Sequence, residues 1–137
     1  MEQILQSIVI GFPILIYHLG LTVALFGLGL YTYVKVTPLH EFNLVRDGNQ
    51  AAGLSLSGVI IGLALPLAFS MKASVNGTDI VFWGIVIVIL QLSSFLAAHL
   101  LLSDLSKRIE NGEMAAAWLL FGLNIALAMF IAAAISG

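Results

Sequence analysis

Within long apolar runs the chain places a handful of polar side chains: His18 beside Tyr17, Ser55 and Ser57, Gln91, Ser94 and His99, and Asn124. Polar groups in such runs are costly and mark candidate sites. Imidazole titrates near neutrality and passes protons. The amides of Gln91 and Asn124 cross-link helices by hydrogen bonds worth about 0.6 kcal/mol each. Helical spacing brings Gln91, Ser94 and Ala98 near one face. His18, Gln91, Ser94 and Asn124 are therefore the candidate intramembrane or pore-lining set, and Tyr17 and Tyr31 are placed to narrow such a path. Shared ligation of a haem or metal by His18 and His99 is disfavoured. Ten residues into its run, His18 is about 15 Å deep, and His99, nineteen residues into its own, is about 28 Å deep. The plainer expectation is packing, with His18 bonded to a neighbouring helix and His99 near the headgroups. No Ser/His/Asp order, phosphate-binding glycine loop or metal-spaced cluster is present, and there is no cysteine. No catalytic residue, metal or cofactor is expected, and the chain does not read as an enzyme.

The elements that position these groups follow from composition. The chain is 61% hydrophobic and 9% charged, with a mean hydropathy of +1.10. A soluble domain carries about 25% charged residues, so lipid is the solvent for most of this one. The net charge of −2 leaves no basic footprint for nucleic acid. A membrane-crossing helix needs about 20 apolar residues. Four segments qualify, from about Ile8 to Val34, Ala51 to Met71, Ile80 to Leu102 and Met114 to Ile135, none containing Asp, Glu, Lys or Arg. The first lacks the basic flank of a signal peptide and reads as a retained span.

Charges gather in the connections. The first and third hold Lys35, Arg46, Lys107 and Arg108, whereas the second holds Lys72 alone. The positive-inside rule then places connections one and three in the cytoplasm and both termini outside. Both cytoplasmic connections read as short interfacial helices. In the first, Thr37 is the expected N-cap, Pro38 the first helical position and Gly48 a left-handed stop. In the other, Ser103 or Asp104 caps and Gly112 stops. Glu41 and Arg46 are not at ideal helical spacing for an ion pair, and both are expected to face solvent or headgroups. Arg46, Lys107 and Arg108 are expected to meet anionic lipid.

The stretches "VRDGNQAAG" and "IENGEMAAA" write one transition twice. An offset of 64 residues lays Gly48 on Gly112 and yields nine identities between Gly48 and Ala68, among them Gly58 on Gly122. The reading is an all-α membrane protein with four transmembrane helices, built as a duplicated two-helix hairpin. It forms a single domain over residues 1–137, with repeats at about 8–71 and 80–135. Each unit crosses twice, so the repeats are parallel, related by a pseudo-twofold axis along the membrane normal. The small pairs Gly58/Gly62 and Gly122/Ala126 are expected to let spans two and four approach closely.

Four spans, the duplicated hairpin and "TPLHEFNLVRDGNQAAGLSLSG" resemble the YjfL-type family of small bacterial inner-membrane proteins, a domain family of unknown function. The most specific part is Thr37, Pro38 and Glu41 running into Arg46, Gly48, Asn49, Ala51 and Ala52. The resemblance covers essentially the whole chain. It implies a multi-pass protein of the bacterial plasma membrane and a link to envelope stress, and no established activity.

Two readings follow. The preferred one is an oligomeric structural or accessory membrane subunit, assembled with itself or with a membrane or cytoplasmic protein partner. The alternative is a small homo-oligomeric channel or proton/ion conductor.

Overall fold

The computed structural model describes residues 1–136, which form six helices joined by short connections. The order is α1 (Glu2–Val36), α2 (Glu41–Arg46), α3 (Gln50–Ala73), α4 (Gly77–Leu101), α5 (Leu105–Glu110) and α6 (Met114–Ser136). Helices α1, α3, α4 and α6 are each long and apolar enough to cross a membrane. Their ends lie within a few residues of the expected spans, except that α1 begins six residues before Ile8.

Helix α3 is the hub. It packs against α1, α4 and α6, and its contact with α6 is the most extensive in the molecule. At Gly58 an added Cβ would lie 3.0 Å from the Phe121 Cα, so the two backbones touch there. Gly62 sits 3.2 Å from Gln91 Oε1 and 3.4 Å from Asn124 Cβ by the same measure. The α6 side of this contact departs from the expected small-residue pair. Gly122 is exposed with nothing near it, and Ala126 is only half-buried. The buried residues of α6 are Ala116, Ala117, Leu120, Asn124, Ala128, Ile131 and Ala132, so the face that α6 presents matches that of α3 at the 64-residue offset only in part.

Helix α1 runs alongside α4 in the same direction. Tyr17 lies against Gly77, Leu25 against Gly84, and Gly29 against Val88 and Leu63. Because α4 begins at Gly77, the stretch Glu2–Ile16 extends past the end of the bundle. Fifteen residues at 1.5 Å each make an arm of about 22 Å. Every residue of that arm is exposed, including Ile4, Leu5, Ile8, Val9, Ile10 and Phe12.

At the opposite end α2 and α5 fold beneath α3. Their stops are alike: Gly48 has φ +86 and Gly112 has φ +81, the left-handed region that glycine enters without a Cβ penalty. The starts differ from expectation. Thr37 does not cap α2. Its hydroxyl donates back to the Tyr33 carbonyl at 2.9 Å and it closes α1 instead. The residue before a proline is driven to extended backbone, and Thr37 takes ψ 141. Pro38 therefore lies in the link, and α2 starts at Glu41 with His40 before it. Asp104 does precede α5, in left-handed backbone and without a side-chain capping bond. Leu39 inserts from the link into an apolar cluster of Ala51, Ala98, Leu105, Ile109 and Leu120.

Candidate functional site

Buried polar groups form two neighbouring sets. The first lies at the α2 end of the bundle. Glu41, in the first turn of α2, is fully buried and so are Tyr33 of α1 and Ser55 of α3. This corrects the expectation that Glu41 faces solvent or headgroups. Pro38 and Leu39 direct the chain inward, Leu39 is anchored in the core, and two residues later Glu41 is carried in with it. Neither carboxyl oxygen, nor the Tyr33 hydroxyl, nor the Ser55 hydroxyl has a regular hydrogen bond in the protein. No ion pair joins Glu41 to Arg46. Among the described residues the only ion pair is Arg108 with Glu113, at 3.4 Å and partly exposed. Burial pushes the Glu41 carboxyl up from 4.5 to about 7, and the neighbouring Tyr33 hydroxyl offsets this only in part.

The second set is deeper, where α3, α4 and α6 meet. Gln91, Ser94 and Asn124 are all buried. The Ser94 hydroxyl faces both the Asn124 Oδ1 and the Gln91 carbonyl, the latter at 2.7 Å. Asn124 Nδ2 and both amide atoms of Gln91 have no partner in the protein. Pro66, buried on the same face of α3, lacks the N–H that would bond the Gly62 carbonyl four residues back. The glycine gap and the proline thus open the α3 backbone beside these two amides. An interstice lined by Gly29, Tyr33, Val59, Leu63, Gln91, Leu92 and Asn124 separates the two sets and is too narrow to admit water.

The other sequence candidates lie apart. His18 is half-exposed on α1, with Tyr17 as its ring neighbour at 5.8 Å. His99 is exposed and stacks on Phe95 at 6.3 Å. The structure thus brings together Gln91, Ser94 and Asn124 and leaves His18 outside. Among the described residues no group of three or more His, Asp or Glu side chains converges as a metal site would need.

The Thr37–Ala52 motif has a second role that spacing did not disclose. The Asn49 Oδ1 caps α3 by accepting from the Ala52 N–H at 3.0 Å. Its Nδ2 donates across to the carbonyls of Ile109 and Glu110, both at 3.1 Å. One amide therefore ties the α2–α3 turn to the end of α5. Tyr33 was likewise not legible as a site residue, while Ser55 was marked only as a polar group in an apolar run. Helical phase adds that Ser55, Val59, Gly62 and Pro66 fall on one face of α3.

The family described as Domain of Unknown Function (DUF350) matches residues 6–135. The chain belongs to that family. It is 32% identical over 111 residues to the inner membrane protein YjfL of Escherichia coli strain K12, a match covering 81% of this chain and 84% of the relative. The same protein from Escherichia coli O157:H7 matches at the same identity over the same length. No solved structure matches. Family membership agrees with the four apolar helices and with the resemblance drawn from the Thr37–Ala52 motif.

Proposed function

We propose that this protein is an accessory subunit of the bacterial inner membrane that works by assembling, with itself or with a second membrane protein, and carries out no reaction of its own. The observation that carries this reading is the free arm of α1. A bundle helix of 24 residues already covers about 36 Å, enough for a hydrocarbon core of about 30 Å. The arm adds apolar length beyond that, and its isoleucines need cover that this protomer does not supply. Lys and Arg counts favour α2 and α5 in the cytoplasm with both termini outside.

A duplicated hairpin underlies the plan in this reading. Support comes from the matched glycine stops, from two six-residue helices in corresponding places, and from the close pairing of α3 with α6. The conduction alternative has less support. His18 lies on the outer surface, and the interior polar groups sit beside an interstice closed to water.

Native mass spectrometry of the full chain, extracted in lipid nanodiscs without detergent, tests the proposal. A homo-oligomer or a stoichiometric foreign subunit supports it. A lone monomer, or an unchanged assembly after Ile4, Ile8 and Phe12 are all replaced by serine, overturns the role given to the arm. Proton flux that is abolished by Gln91→Leu in an intact assembly would instead favour the conductor.

A further inference from the structure

A fully buried carboxyl with no cationic partner is an expensive group to keep as a mere surface charge. Ionised, it leaves a charge without compensation in an apolar setting, and neutral, it sits among other uncharged groups. Glu41 has that setting. From α1 it is faced by the Tyr33 hydroxyl, which is in turn close to the Ser55 hydroxyl of α3. The charged groups on the surrounding elements are committed elsewhere or exposed. Lys35 lies over the Tyr31 ring at 5.5 Å. Arg108 pairs with Glu113. Arg46, Asp47, Lys107, Glu110 and the neighbouring His40 are exposed, as is His99 on α4. No fixed positive charge therefore holds Glu41 in its ionised form.

We propose that Glu41, seated against Tyr33 and Ser55, is a proton-binding site by which the protein senses proton activity on the side of the membrane where α2 and α5 lie, the protonated acid holding the α2 segment docked and the carboxylate releasing it. The lever is the position of Glu41. It opens α2, and apart from Glu41 that helix exposes or half-exposes every residue it has. Leu39 and Glu41 are the two fully buried anchors of the segment between Pro38 and Asp47, with Leu44 packed half-buried against the same core. Removing the proton turns one of the two anchors into a group that water solvates far better than the protein does. The displacement of the carboxyl towards neutrality places the response within the range of cell interiors. The site exchanges with one side only. Beyond Tyr33 the route inward meets an interstice that excludes water and two carboxamides, which do not pass protons as a carboxyl or imidazole does. This function is independent of how the protein assembles.

The chain has no cysteine, so a single spin label at the exposed position Asn43, introduced as Asn43→Cys, reports α2 alone. The experiment uses the full chain in nanodiscs between pH 5 and pH 9. The expected result is an immobile label at low pH and a mobile one at high pH, with a midpoint near neutrality. Glu41→Gln abolishes the transition and keeps the label immobile throughout. Tyr33→Phe keeps the transition and moves it to higher pH, because the hydroxyl that favours the carboxylate is gone. A merely structural Glu41 gives no transition in the wild-type sequence, and that result overturns the proposal. So does a transition that survives in Glu41→Gln. If Glu41→Gln does not fold, difference infrared spectroscopy of the wild-type chain decides the matter. A protonated-carboxyl C=O band that disappears across the same pH range supports the proposal, and a carboxylate already ionised at pH 5 overturns it.

Discussion

Replacing Glu41 by glutamine removes a titration while keeping shape and hydrogen-bonding capacity, so the stability of the two proteins should diverge with pH in a calculable way. The carboxyl is fully buried, so no discount for solvent screening applies. Moving it from 4.5 to about 7, at about 1.4 kcal/mol per pH unit, comes to about 3 kcal/mol. The sign follows from linkage. A carboxyl raised in the folded state supports folding fully below about 4.5, and that support is lost as pH rises through about 7. Wild type and Glu41→Gln should therefore be similar at pH 4.5, and the variant should be the more stable by up to about 3 kcal/mol at pH 8. Release of α2 caps the difference at whatever the docking of that segment is worth. Thermal unfolding in nanodiscs, followed by the fluorescence of Trp83 and Trp118, measures both curves. Parallel curves, or a variant that is the less stable at pH 8, would refute the burial argument.

Asn49→Ala should lose both the cap of α3 and the tie to α5, a loss of about 2 kcal/mol. Asn49→Asp should retain most of the capping part, because it keeps the acceptor and removes the donor, and unfolding midpoints separate the two. Gly58→Leu should force α3 from α6 at Phe121 and destabilise by roughly 1–3 kcal/mol, while Gly122→Leu, facing open space, should stay within about 0.5 kcal/mol. Gln91→Met should be neutral or stabilising by about 1 kcal/mol, since both amide atoms of Gln91 lack partners in the protein. A marked loss of stability there would mean that the amide is bonded more fully than the geometry indicates.

The four long helices were legible because charge is absent from each run and gathers between them, and an uninterrupted apolar run of about 20 residues crosses lipid as a helix. The stops at Gly48 and Gly112 were legible because left-handed backbone favours glycine. Thr37 misled because two local rules compete there. A threonine before a proline suits an N-cap, whose hydroxyl accepts from an N–H ahead of it, yet here the hydroxyl donates back to the Tyr33 carbonyl of its own helix. Glu41 misled for a different reason. A carboxylate in a connection is solvated by default, and only the three-dimensional course of Pro38 and Leu39 carries it inward. The Asn49 donation spans sixty residues, a separation that no local pattern encodes. Gly122 misled because an internal match in sequence does not guarantee that both matched segments present the same helix face to the interior.

The pairing of α3 with α6 also bears on how the chain is made. Ala73 ends α3, and α6 does not begin until Met114, so about 40 residues must be added before the partner exists. At about 5–20 residues per second, α3 waits some seconds in the bilayer with Gly58, whose neighbour is Phe121 of α6, uncovered. During that interval lipid, or the α6 of a chain emerging from the next ribosome on the same message, competes for the vacant face. Closure onto its own α6 and exchange of α6 between sister chains would bury the same surface, so proximity along one chain is what favours the closed protomer.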